Sequence, residues 1–108
     1  MKKYKLVVYI PVADADKIRQ VLGEAGAGQL GNYDFCSFSV KGTGRFRPLK
    51  SAKPAIGEVG KFTEVEEERI EVEVDEEILG DVVYKVRKAH PYEEPAIDII
   101  EMNTSEKI

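Results

Sequence analysis

Apolar and polar positions alternate with period two at the start of the chain and shift to helical spacing soon after. Leu6, Val8 and Ile10 alternate with Lys5, Val7 and Tyr9, and both sets are largely apolar, which predicts a central strand covered on at least one face. Pro11 closes that strand, Asp14 or Asp16 offers a helix N-cap, and Ile18, Val21, Leu22 and Ala25 form one apolar stripe before Gly26 and Gly28 stop the helix. A second alternation sets Phe35, Ser37 and Ser39 against Cys36, Phe38 and Val40, predicting a strand over Tyr33 to Val40. A third sets Ile70, Val72 and Val74 against Arg69, Glu71 and Glu73, in a strand that begins a few residues before Arg69. Asp75, Glu76 and Glu77 then put negative charge at a helix start, Leu79, Val82, Val83 and Val86 supply its buried stripe, and Lys85, Arg87 and Lys88 suit the dipole at its end. Pro91 cannot continue the helix, and Ala96 to Glu101 reads as a last short strand.

The order strand, helix, strand, strand, helix, strand is the split β-α-β pattern. It predicts an α+β fold of ferredoxin-like type: an antiparallel sheet, two helices on one face, and a long loop between strands 2 and 3. The chain has 108 residues, the size of one domain. We place that domain at 1–102 and expect the tail, 103–108, to fray. Helices on one face leave the other open. With Tyr9, Phe35 and other apolar strand residues on it, such a face predicts association into a homo-oligomer.

Composition narrows the classes. Hydrophobic residues make up 43% and charged residues 33%, which fits a folded soluble domain and argues against wholesale disorder. A net charge of -4 lacks the basic footprint of a nucleic-acid binder. A single cysteine forms no intramolecular disulfide. No apolar run nears the roughly 20 residues that span a bilayer, and Leu6 to Ile10 is too short for a signal-peptide core. The expectation is a cytoplasmic protein with no membrane segment.

Three segments carry candidate chemistry. From Lys41 to Lys61 no periodic element is apparent, and a connection this long is often functional. Lys41, Arg45, Arg47, Lys50 and Lys53 occur there with no acidic residue before Glu58, so Arg45, Arg47 and Lys50 are candidate contacts to a small anion or an acidic partner. The plain alternative is a solvated loop or a hairpin arm that packs on a neighbouring subunit. The run Gly42 to Phe46 is not a Walker motif, because the Gly-Lys-Ser/Thr end is missing. The second segment is His90-Pro91-Tyr92-Glu93-Glu94-Pro95. His90, Glu93 and Glu94, with Cys36 if the fold brings it near, are candidate ligands for a divalent metal ion, the one cofactor considered. The alternative is a structural turn in which His90 caps the helix. Third, Cys36 is either a small strand-facing hydrophobe or, paired with His90, a nucleophile. The run Glu64, Glu66, Glu67 and Glu68 reads as a solvated strand edge.

Several motifs, in order, resemble one family: Gly26-Ala27-Gly28-Gln29-Leu30-Gly31-Asn32-Tyr33, Cys36-Ser37-Phe38, Gly42-Thr43-Gly44-Arg45-Phe46 with Pro48, Ile56-Gly57, Val59-Gly60, and Glu68-Arg69-Ile70-Glu71. They resemble the domain inserted in YqfO-like proteins of the Ngg-interacting-factor-three-like family, from about Tyr4 to Met102. The segment His90 to Ile97 also resembles the His-Pro-Tyr-Glu-x-Pro turn of CutA divalent-cation-tolerance proteins. CutA and PII signalling proteins are ferredoxin-like trimers, so the resemblance implies that fold and suggests a trimer. Full YqfO-like proteins carry a di-metal site on two flanking lobes whose motifs this sequence lacks, so that site and a hydrolase-like activity do not carry over. CutA proteins bind copper partly through cysteines, of which only Cys36 is present. The basic segment holds the place of the PII loop that binds nucleotide or partners, an analogy of fold alone. The expected function is a non-enzymatic, oligomeric binding or regulatory module of PII/CutA type, with no catalytic residues. It would sense a small anion or divalent metal, or bind a protein partner. The alternatives are a purely structural oligomerisation module and a metal-dependent hydrolase-related protein.

Overall fold

Strand β1 (Lys3–Pro11) lies in the middle of a four-stranded antiparallel sheet of order β2-β3-β1-β4. The computed structural model of the chain describes residues 2–103. Of the tail expected to fray, all but Asn103 lies outside the described residues. A 3-10 turn at Val12–Asp14 leads from β1 into α1 (Ala15–Glu24), with Asp14 at the N-cap position but making no capping hydrogen bond. Strand β2 (Phe38–Phe46) and β3 (Thr63–Asp75) form a hairpin, α2 spans Glu76–Ala89, and β4 spans Ile97–Met102. This is the ferredoxin-like order expected. Among the described residues no helix is long and apolar enough to cross a membrane.

Register explains the core. Leu6 lies opposite Val72 and Ile99, and Val8 opposite Ile70 and Ile97, so these side chains share one face of the pleat. Leu6, Val8, Ile10, Ile70, Val72 and Val74 are buried there against Ile18 and Leu22 of α1 and Val82 and Val86 of α2. The other face carries Val7 and Tyr9 of β1, Phe38 and Val40 of β2, and Arg69 and Glu71 of β3.

Four expectations change. The second strand starts at Phe38, not Tyr33, because the preceding loop folds back on itself. Gly28 N–H bonds to Glu73 O at 2.8 Å and Cys36 N–H to Gly28 O at 2.8 Å, while Leu30 and Tyr33 form a small bridge. Phe35 has φ +55° and its ring covers Gly23 of α1, so it is not on the sheet face. Strand β2 also runs on through Lys41 to Phe46, residues read as loop. Their register partners are Glu68 to Thr63, and with Pro11 opposite Glu67, the last pair of β1 and β3, this hairpin extends past the body as an arm. The acidic run is therefore mostly paired strand, and Glu68 is buried rather than solvated. Dimensions of 48 × 25 × 23 Å and a radius of gyration of 15.0 Å exceed the ~13 Å of a compact 100-residue domain. The connection left between β2 and β3 is residues 47–62.

Candidate functional site

At the base of the arm, the open sheet face meets the turn between α2 and β4. Pro91 fixes where α2 ends. His90 takes extended geometry at the C-cap (ψ 135°) and its backbone N–H bonds to Val86 O at 2.9 Å. The ring is buried. Its Nε2 lies 2.7 Å from Tyr9 O, and its Nδ1 accepts the Tyr92 N–H at 3.1 Å. These partners require the neutral tautomer with the proton on Nε2. Burial lowers the His90 pKa, against the opposing effects of the Tyr9 carbonyl and of Glu67 and Asp14.

The turn sends Tyr92 back over the sheet. Its hydroxyl donates to Glu67 Oε2 at 2.7 Å, and its ring lies 5.0 Å from His90 and 6.2 Å from Phe46, tilted in both cases. Burial, and then the bond to Glu67, push the Tyr92 pKa far above that of a free phenol, so it is a neutral donor. Gly44 makes room for this pairing, because a Cβ there would overlap the Glu67 carboxylate. The connection folds back over the same place: Gly60 N–H bonds to Pro48 O at 2.8 Å and Lys53 N–H to Glu93 Oε2 at 3.0 Å. Together these elements enclose a groove of about 570 Å³, lined by Tyr9, Phe46 and Tyr92, by the apolar side of residues 48–56, and by Glu67, Glu93 and Glu94.

Of the candidate anion contacts, Arg45 and Arg47 stand at the groove. Each already has company: Arg45 is 3.8 Å from Glu64, and the Arg47 guanidinium lies 5.0 Å from the centre of the Phe62 ring. Lys50 is exposed in the connection and does not line the groove. The four candidate metal ligands are not brought together as one set: Glu93 and Glu94 both line the groove, but Cys36 lies elsewhere. Cys36 sits beside Gly28, which bonds to Glu73, opposite Lys5; His90 bonds to Tyr9. Four residues of β1 separate those positions, about 13 Å of strand. With both ring nitrogens of His90 engaged, neither a Cys36–His90 nucleophile pair nor a joint metal site assembles. Among the described residues no three His, Cys, Asp or Glu side chains are grouped to hold a metal ion. Among the lining residues not singled out as site residues are Tyr9, Phe46, Glu67 and Tyr92. Tyr9, Phe46 and Glu67 are placed by strand register and Tyr92 by the turn after α2, neither of which period-two patterning along one strand reveals.

The arm and open face expose large apolar side chains. Phe62 is 84% exposed, Leu49 68% and Phe38 65%, with Val40, Val59 and Ile100 also exposed.

No protein-family model matches the chain. Two proteins named GTP cyclohydrolase 1 type 2 homolog are similar to it. The Halalkalibacterium halodurans protein is 49% identical over 96 residues, covering 89% of this chain and 26% of its own length. The Bacillus subtilis protein is 45% identical over 105 residues, covering 95% and 28%. The chain thus spans about a quarter of the length of these curated relatives. Among solved structures, a Bacillus cereus protein related to NIF3 is 39% identical with a TM-score of 0.83, over 95% of this chain and 26% of that one. The periplasmic divalent cation tolerance protein CutA of Archaeoglobus fulgidus has a TM-score of 0.69 over 97% of this chain and 90% of its own. At 19% identity that likeness shows the fold alone.

Proposed function

Because this chain belongs to the domain family that makes up about a quarter of the GTP cyclohydrolase 1 type 2 homologs, we propose that it is a non-enzymatic, homo-oligomeric binding module, a trimer, acting in the cytoplasm. The observation that carries this reading is the exposed apolar surface of the arm and of the open sheet face. Phe62, Leu49 and Val59 stand exposed among the described residues, on the projecting arm and its connection, and Phe38 and Val40 lie on an edge strand. Apolar surface of this kind is favourably removed from water by a second copy. A projecting arm that meets the body of a neighbour makes a head-to-tail contact, and such contacts form a ring of three when each step rotates by a third of a turn.

Binding in this proposal takes place in the groove at the arm base. Its walls belong to the arm, the connection and the His90 turn, so association of the arm alters its shape. An anion would have to compete with Glu64 for Arg45, while Arg47 stacks over the uncharged Phe62 ring. The test is Phe62→Asp, measured by light scattering on the full chain. The variant is expected to lower the oligomer's mass to that of the monomer, or to weaken association at least about tenfold. An oligomer of unchanged mass and dilution behaviour would remove the arm from the interface.

A further inference from the structure

Glu67 is a half-buried carboxylate that accepts a hydrogen bond from the neutral phenol of Tyr92, and the histidine near enough to feel its charge, His90, is held neutral by Tyr9 O and the Tyr92 N–H. A carboxylate in mostly apolar surroundings is costly unless a cation compensates it. Around it stand the rings of Tyr9, Phe46 and Tyr92, and the electron-rich faces of such rings attract cations. Glu93 and Glu94 add negative charge to the same groove, while the two arginines at its margin are engaged by Glu64 and Phe62.

We infer that the groove binds an organic cation, an ammonium group on an apolar or aromatic body, with the ammonium on the Glu67 carboxylate and the body against Phe46, Pro48 and Ile56. Its volume, about 570 Å³, lies in the range of small-molecule sites, roughly 300–1,000 Å³. Charge favours this class: the Glu67 carboxylate is half-buried and hydrogen-bonded only to a phenol, whereas Arg45 and Arg47 are exposed at the margin, Arg45 beside Glu64 and Arg47 over the Phe62 ring. This names the ligand class for the binding part of the proposal above and does not depend on the oligomer.

The test titrates the full chain with phenethylamine and, separately, with 3-phenylpropanoate, which has the same phenyl group and two-carbon linker with the opposite charge. Backbone amide NMR reports the site. Phenethylamine is expected to shift the amides of Tyr9, Phe46, Glu67 and Tyr92 saturably, and 3-phenylpropanoate is not. Glu67→Gln, which keeps the shape and removes the charge, should weaken amine binding at least about tenfold. If that variant does not fold, Gly44→Ala displaces the same carboxylate from the arm side and should also weaken binding. Equal binding of the carboxylate, or an amine affinity unchanged in these variants, overturns the inference. So does a groove that neither compound enters. If its amides then shift on dilution, a second copy fills it, and the oligomer proposal stands while the cation site falls.

Discussion

Both ring nitrogens of His90 are used inside the fold, one by the Tyr9 carbonyl and one by the Tyr92 amide, and this decides how the residue responds to acid. A protonated ring would set an N–H against the Tyr92 N–H. Burial already holds the folded pKa below the ordinary 6.5. The denatured chain therefore takes up the proton first as pH falls. The contribution of His90 to stability is complete above about 6.5 and is lost progressively below it, toward the lowered folded value. Urea midpoints should consequently drop more between about pH 7.5 and 5.5 in the wild type than in His90→Gln. Equal drops would assign the effect to other groups. Gly28 is a second position where one residue decides. Its φ is +78°, and a Cβ would overlap the Cys36 backbone. Gly28→Ala should cost at least about 1–2 kcal/mol in chemical denaturation; no loss would mean that the loop does not hold this close approach. The sequence makes the His90 turn legible, since a proline follows a helical stripe directly. It does not reveal that Tyr9 and Glu67, far away along the chain, complete the groove.

At the scale of elements, β1, β3 and both helices are legible because each buries one face, so apolar residues recur at the matching period. Strand β2 is not. From Lys41 to Phe46 neither face of it meets the core, so no alternation is needed, and Gly42 and Gly44 dilute what strand propensity there is. The loop before it imitated a strand because Phe35 and Phe38 happen to frame small residues, while Phe35 in fact turns to cover Gly23. Arg19 ties α1 to two strands of the sheet. Arg19 Nη1 donates to Glu68 Oε1 at 2.6 Å and to Ser39 Oγ at 3.1 Å, and Nη2 donates to Asp16 at 2.6 Å. Glu68 is buried, so Arg19→Met would strand a carboxylate there and should cost about 1–3 kcal/mol. Adding Glu68→Leu should recover part of that loss, because the stranded charge is gone. Urea denaturation measures both variants, and a double variant no more stable than the single one would contradict this account.

At the scale of the whole molecule, the elongated shape follows from the arm, and the arm from the register that carries β2 and β3 past the end of β1. The motifs that resemble the YqfO-like inserted domain run through this same region, and relatives 49% and 45% identical over 89% and 95% of the chain bear that resemblance out even where the strand was not legible. The groove was less legible, because it is assembled from three segments whose meeting depends on tertiary packing. The reading of the protein as an associating module rests on what the arm and open face expose. The most direct test is native mass spectrometry of the full chain, untagged and over a range of concentrations. The account predicts a species of three chain masses that persists on dilution to the micromolar range. A monomer at every concentration would contradict it, and a closed dimer or tetramer would keep association but overturn the trimer.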